Sequence, residues 1–379
     1  MSRINDLIKE LCPNGVAYVK LEELVDYIQP AKYIVKNTNY DIKYDVPVLT
    51  AGQTFILGYT NERDGIYYAS ADNPVIIFDD FTTSNHWVDF NFKVKSSAMK
   101  ILISKTDNLF KYIYYCISNI DYVPKEHSRQ WIQVYSQFQI PLPPLKVQEE
   151  IVRILDKFGE LEAELEAELE TRKSQYEFWR GNLLFNPNYP VYKMEDICII
   201  NQGLQIPINQ RKKEPGENRY FYITVQFLKN EGENYYIENP SESVICKKDD
   251  ILVTRTGSTG KIVYGVEGCF HNNFFKVTPI INLNKKYLYH VLNSTQMFNE
   301  MLRAASGGTV PDLPHKKFYK LEIGLPSIEE QKKIVPILDK FENLISDISI
   351  GLPAEIELRR KQYKYYRNKL LSFEELSCE

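Results

Sequence analysis

Ile140-Pro141-Leu142-Pro143 leads through Gln148 into Ile151-Val152-Arg153-Ile154-Leu155-Asp156-Lys157-Phe158, and the same wording returns later in the chain. There it reads Ile323-Gly324-Leu325-Pro326, then Gln331, then Ile334-Val335-Pro336-Ile337-Leu338-Asp339-Lys340-Phe341. The two stretches lie 183 residues apart and agree at eleven of nineteen positions. Gln175-Tyr176-Glu177-Phe178-Trp179-Arg180 matches Gln362-Tyr363-Lys364-Tyr365-Tyr366-Arg367 at an offset of 187, so the second copy holds four extra residues in between. Fainter pairs precede each copy. Lys20-Leu21-Glu22-Glu23-Leu24 goes with Lys193-Met194-Glu195-Asp196-Ile197, Phe92-Lys93-Val94 with Phe275-Lys276-Val277, and Tyr112-Ile113-Tyr114-Tyr115 with Tyr287-Leu288-Tyr289-His290. A period this long is a whole domain rather than a solenoid unit. The expected molecule is a variable domain followed by a helix, written twice, with a pseudo-two-fold relation.

The repeated segments carry helical periodicity. Ile151, Leu155, Phe158, Leu161, Leu165 and Leu169 recur at steps of three and four, which is an apolar stripe along one helix. Pro143-Pro144 marks its start, and from Gln148 to Asn182 it would run about 50 Å. The second helix opens with Ser327-x-x-Glu330, a capping-box pattern. Its stripe is Ile334, Ile337, Leu338, Phe341, Leu344, Ile345 and Ile348, and Tyr363, Tyr366 and Leu370 continue it beyond a break expected at Gly351-Leu352-Pro353, with a bend expected at Pro336. Each stripe needs a partner. The other copy, packed antiparallel as a coiled coil, is the reading preferred over each helix packing only on its own domain. Leu161-Glu162-Ala163-Glu164 and Leu165-Glu166-Ala167-Glu168 are successive four-residue units, each adding about 6 Å of helix.

The expected fold class is therefore α+β: two similar strand-rich domains separated by two long helices. The divisions fall at 1–139, 140–185, 186–322 and 323–379. Pro74-Val75-Ile76-Ile77-Phe78 and Asp250-Ile251-Leu252-Val253-Thr254 are short strand-like runs. Ala51-Gly52-Gln53 and Gly257-Ser258-Thr259-Gly260 are turn-forming, and residues 4–11 read as a leading helix stopped by Pro13-Asn14-Gly15.

The chain has 379 residues, 44% hydrophobic and 25% charged, the composition of a folded multidomain protein. No apolar run approaches the roughly 18 residues of a membrane span, and no secretory leader is evident, so a cytoplasmic location is expected. Six widely spaced cysteines with no C-x-x-C favour reduced thiols over zinc or a disulfide framework. The net charge is −4, and only 186–322 is net basic, with 17 Lys and Arg against 14 Asp and Glu. A uniformly basic nucleic-acid binder is excluded, and any DNA contact must use local patches.

The doubled Leu-Pro-x-x-x-x-Gln-x-x-Ile-Val-x-Ile-Leu-Asp-Lys-Phe, the paired Gln-Tyr-x-aromatic-aromatic-Arg ends, Cys12-Pro13-Asn14-Gly15-Val16, residues 74–100 and Gly351-Leu352-Pro353-Ala354-Glu355-Ile356 together resemble the specificity subunits of type I restriction–modification systems. The resemblance spans essentially the whole chain. It implies that each variable domain is a target recognition domain reading half of a split, asymmetric double-stranded DNA sequence, and that the helices form an antiparallel spacer. It further implies docking of two copies of the modification subunit, which carries S-adenosylmethionine and methylates adenine. Restriction subunits would add ATP- and magnesium-dependent translocation and cleavage. No cofactor is expected on this chain.

An enzyme reading finds little purchase in the residues. Asn186-Pro187-Asn188-Tyr189 resembles the Asn-Pro-Pro-Tyr of adenine methyltransferases but lacks the second proline and any preceding Gly-rich cofactor turn. Position 255 is Arg and position 262 is Ile, so Gly257-Ser258-Thr259-Gly260-Lys261 fails as a P-loop. Asp79, Asp80 and His86 lack metal-ligand spacing. Asp312 near Lys316 and Lys317 lacks the acidic-x-Lys strand of a nuclease, and the acidic run 160–170 is a solvated helix face.

The candidate DNA contacts are Thr82, Thr83, Ser84, Asn85 and His86 in one loop, with Asp79 and Asp80 ordering it. Lys93 and Lys95 (with Lys100) form a phosphate face. Arg255, Ser258, Thr259 and Lys261 form the second loop, and Arg129 (with His127 and Trp131), His315 and Lys316 lie just before the two helices. For any one of them a solvated surface position is the simpler alternative. For the whole chain the alternatives are a stand-alone DNA-modifying enzyme and a tandem-repeat protein–protein adaptor.

Overall fold

The computed structural model describes residues 2–50, 54–228, 233–307, 310–346 and 351–376. The turn expected at residues 51–53 lies outside them. The chain divides into two compact units, residues 1–165 with 356–379, and residues 166–355. These differ from the divisions read from sequence because each unit combines a strand-rich domain with lengths of both repeated helices.

In the first unit a four-stranded antiparallel sheet runs in the order Val25–Ile28, Met99–Ser104, Val75–Asp79, Asn85–Val88. All five residues of Val75–Asp79 are buried, because both faces of the sheet are covered. Ile76, Phe78 and Leu102 face the helix Phe110–Asn119, while Val75, Ile77 and Ile101 face a second apolar cluster with Phe92 and Val94; this is the alternation a strand imposes. Behind that cluster Val46–Leu49 pairs antiparallel with Ile56–Thr60 and parallel with Lys93–Val94. A two-stranded ribbon, Ala17–Lys20 with Gln139–Leu142, leads into the long helix. Gly15 is required where it stands: its φ is +92°, and a Cβ there would fall 2.4 Å from the Glu374 carbonyl oxygen.

The second unit repeats this plan with one added strand, Ile245–Cys246, paired antiparallel with Gly268–Phe270. Its main sheet is ordered Cys198–Gln202, Phe274–Pro279, Ile251–Thr254, Ile262–Val263. Arg219–Ile223 pairs antiparallel with Tyr236–Glu238 and parallel with Gly268–Phe270, and Val191–Lys193 pairs with Glu322–Gly324. One correspondence expected from sequence is corrected. Lys93–Val94 matches the parallel strand Gly268–Phe270, whereas Phe275-Lys276-Val277 matches Lys100-Ile101-Leu102, since Ile76 faces Leu102 as Ile251 faces Val277.

Each long helix is latched to its domain by the glutamine that recurs in both copies of the repeat. The Gln148 side chain accepts from the Leu109 N–H at 3.1 Å and donates to the Pro143 carbonyl at 2.8 Å. Gln331 accepts from Asn284 N–H at 2.9 Å and donates to Pro326 at 2.9 Å. Tyr112 and Tyr287 donate to Pro141 and Gly324, at 2.9 and 3.1 Å. One turn on, Tyr115 donates to Asp156 with Lys111 nearby. In the second unit His290 Nε2 meets Asp339 at 2.7 Å, with Lys286 3.6 Å from Asp339 and 3.8 Å from Glu342. His290, Asp339 and Glu342 are spaced as metal ligands could be, but the Lys286 ammonium supplies the cation, and the first unit makes the same latch with a tyrosine. Burial pushes the His290 pKa below its ordinary value.

The first helix is continuous over Leu145–Leu184, about 60 Å. Within the first unit it packs antiparallel to Leu352–Leu370: Phe158 stacks on Tyr366 at 5.5 Å, and further along Glu162 accepts from Arg360 at 2.6 Å. Within the second unit Tyr176 meets Phe341, and Leu184 shares a cluster with Ile334 and Leu338. Ile151 and Leu155 are buried in the first unit, and Leu161, Leu165 and Leu169 are half-buried. Ile337 and Leu344 are corrections: both are exposed, because Ile334, Leu338, Phe341 and Ile345 take the inner face of the helix. Ile328–Ser346 continues through Pro336 without a break, Ser327 Oγ caps the Glu330 N–H, and a new helix starts at Leu352 with Pro353 in its first turn. Residues 347–350, Ile348 among them, lie outside the described part.

Replacing Gln331 by Leu strands a partly buried N–H and a buried carbonyl and is expected to cost about 2–4 kcal/mol in urea denaturation. Gln362→Leu, at an exposed helix position, should stay within about 0.5 kcal/mol.

Candidate nucleic-acid interface

The two loops singled out in the sequence occupy the same place in the two units. One joins Val75–Asp79 to Asn85–Val88, the other Ile251–Thr254 to Ile262–Val263. In the first, buried Asp79 accepts from Phe81 N–H at 2.8 Å, Thr82 N–H at 3.3 Å and Thr82 Oγ1 at 2.7 Å, an Asx-type turn. Thr83 has φ +64°, uncommon for a β-branched residue, and its N–H is held by the Asp79 carbonyl. Thr82 and Ser84 are exposed at the tip. Thr83 is buried, and Asn85 is held by Ser118 Oγ at 2.5 Å. His86 stacks on Phe55 with ring centres 4.1 Å apart, and burial lowers its pKa.

Asp80 is fully buried and ties this loop to the segment before the helix. It accepts from the Trp131 N–H at 2.8 Å and lies 3.5 Å from Lys100 and 3.7 Å from Arg129. Arg129 remains half exposed, beside His127, which stacks on Phe81. Trp131 is not at the surface as expected: it is buried against Phe78.

Two lysines of the expected phosphate face are likewise corrected. Lys93 and Lys100 are each 1% exposed. Lys93 pairs with Glu62 at 2.8 Å and donates to the Asp64 carbonyl, and Lys100 pairs with Asp80 and lies over the Tyr27 ring. A buried ammonium is tolerated only when paired in this way. Lys95, one residue beyond the short strand, is exposed.

In the second loop Gly257 and Gly260 take positive φ of 82° and 83°. Thr259 is buried, donating to the Pro311 carbonyl at 2.6 Å. Arg255 grips Asp312 with Nε–Oδ1 2.7 Å and Nη2–Oδ2 3.1 Å, a bidentate pair. The acid set aside as a nuclease residue is thus the partner of the candidate DNA contact. Sequence reasoning missed it, though its place before the second helix mirrors that of Arg129. Ser258 is half-buried and Lys261 exposed; among the described residues Lys261 has no ion-pair partner. His315 is half-buried against Phe275, and burial lowers its pKa. Lys316 and Lys317 are exposed. Asn186-Pro187-Asn188-Tyr189 is a turn closed by the Asn186 side chain on the Asn188 N–H.

The family model for the type I restriction modification DNA specificity domain matches residues 13–171 and 186–358, once over each copy of the repeat. The chain belongs to the type I restriction–modification specificity subunits. It is 43% identical to the specificity subunit of an Escherichia coli type I restriction enzyme, over 98% of each chain. It is 29% identical to a putative type I specificity subunit of Haemophilus influenzae, over 97% of this chain and 98% of that one. The solved S subunit from M. genitalium shares the fold with a TM-score of 0.57 at 15% identity, covering 95% of this chain and 97% of that one. Specificity subunits recognise DNA within a restriction–modification complex and are not themselves the catalytic subunits, so the stand-alone enzyme and adaptor alternatives are set aside. No helix among the described residues is long and apolar enough to cross a membrane.

Burial on its own would raise the Glu62 pKa, but the Lys93 hydrogen bond and the N–H groups of Asn37 and Lys36 outweigh it and hold the pKa below 4.5. The pair's contribution is therefore complete above that ordinary value and is lost as pH falls through the lowered one. Lys93→Ala is expected to cost about 3–5 kcal/mol near neutral pH. The difference from wild type should shrink in acid, as followed by denaturation from pH 7 to 3. Lys261→Ala should leave stability within about 0.5 kcal/mol and weaken DNA binding by the assembled complex.

Proposed function

We propose that each unit reads one half of a bipartite, asymmetric DNA target through its strand-connecting loop and the segment before its helix. One observation carries this reading: the main four-stranded sheets of the two units share one strand order, while the loops that follow their central strands, residues 80–84 and 255–261, differ in length and in nearly every residue. Thr82, Ser84, Lys95 and Arg129 on one side, and Ser258, Lys261 and Lys316 on the other, offer the hydroxyl, ammonium and guanidinium groups that meet phosphates and base edges. Different loops on one frame imply different half-sites.

The repeat also supports two identical partners. Phe178 and Tyr365 hold equivalent positions in the two helices and are 63% and 60% exposed, large aromatics of the kind that anchor protein interfaces. Two copies of the modification subunit, one per repeat, fit this arrangement. S-adenosylmethionine then belongs to those subunits, and ATP and magnesium to restriction subunits where they are present. Buried reduced thiols at Cys12, Cys116, Cys198, Cys246 and Cys269 are in keeping with a cytoplasmic complex; Cys378 lies outside the described residues.

The test is to exchange residues 186–322 for the equivalent domain of a relative and map methylated sites. One half of the target should change, with the other half and the spacing kept. A change in both halves together would show that the domains do not read independently.

A further inference from the structure

Asp80 and Arg255 stand at the same structural position. Each follows the last residue of the central strand. Their backbone N–H groups donate to Ala98 and Asn273, at 3.0 and 2.6 Å, and their carbonyls accept from Gln130 and Leu313, at 2.8 and 3.1 Å. Gln130 thus matches Leu313, and Arg129 matches Asp312. In the first unit the acid is on the loop and the base on the segment before the helix, 3.7 Å apart. In the second the base is on the loop and the acid on the segment, 2.7 Å apart. The same cross-link is built twice with opposite polarity.

The residue beneath agrees with the polarity. Lys100 lies opposite Phe78 in the sheet, and Phe275 lies opposite Val253, so the two correspond. A carboxylate with no exposure needs a second cation, which Lys100 supplies at 3.5 Å. The Arg255 guanidinium keeps 38% exposure and needs none, and its counterpart beneath is an apolar ring.

Resting on the recognition reading above, we propose that this pair is the positioning clamp of each recognition loop, and that Arg255 sets the second loop rather than reading a base. The Nε–Nη2 edge of Arg255, one of the edges that could grip a guanine, is already filled by Asp312. Thr259 adds a second tie to the same segment through the Pro311 carbonyl. What the clamp leaves facing outward is Lys261, with Ser258 beside it. Polarity is immaterial to a clamp, so the two units can carry opposite signs at one position.

The test uses the complete complex with its modification subunits, mapping methylated sites and comparing rates on duplexes altered in one half at a time. Asp312→Asn and Arg255→Gln should each lower discrimination in the half read by residues 186–322 by tenfold or more. Discrimination in the other half should stay unchanged, which also reports intact assembly. Arg255→Lys should be intermediate, and the double reversal Arg255→Asp with Asp312→Arg should recover most of the loss. Two results overturn the clamp. One is that Asp312→Asn keeps the second half-site while the double reversal behaves like Arg255→Gln, as a direct base contact requires. The other is that both halves lose discrimination equally. A wild-type complex that methylates no two-part sequence removes the recognition reading and the clamp with it, whereas the two results above remove the clamp alone.

Discussion

A buried glutamine at the head of each long helix is the contact on which the rest depends. Gln148 and Gln331 each hold a backbone N–H from the loop before a domain helix and a carbonyl from the ribbon that feeds the long helix. One side chain thereby fixes three elements at once. Left without it, a buried carbonyl and a partly buried N–H would be unpaired in each unit, at a cost of up to about 1–3 kcal/mol each. The tyrosines Tyr112 and Tyr287 reinforce the joint from the domain side. The direction in which each domain meets its helix is therefore set by hydrogen bonds that a purely apolar contact would not specify.

With that joint constant, variation is free to collect elsewhere. The Tyr115–Asp156 latch of the first unit becomes His290–Asp339 in the second without disturbing the frame. The loop after the central strand changes in length, in its use of glycine and in the sign of its anchoring charge. A rigid frame under divergent loops is what a pair of readers with different targets requires, since loops tolerate change that core strands do not.

The architecture was legible in the sequence because its signals are local or repeated. Short apolar β-branched runs mark the central strands, steps of three and four mark the helices, and the duplication marks two related units. The site was less legible for a physical reason. A lysine reads alike whether it is solvated or buried in an ion pair, and the partner that decides between them is remote in sequence. Lys93 is decided by Glu62, Lys100 by Asp80 and Arg255 by Asp312. Trp131 was misplaced in the same way, since Phe78 covers it from across the domain. Phe92-Lys93-Val94 was matched to the wrong strand because its two-residue pairing with Val46–Leu49 leaves no periodicity to read. Hydroxyls and the aspartate turn of residues 79–84 were legible, because an Asx turn is a local contact.

The account's central claim is that one chain supplies two different readers on a shared frame. Methylome sequencing of the host with and without this gene tests it most directly. The account predicts that a single methylated sequence disappears with the gene, and that this sequence has two dissimilar specified halves separated by a fixed unread gap. A continuous target, a palindromic pair of identical halves, or a methylome indifferent to the gene would contradict it.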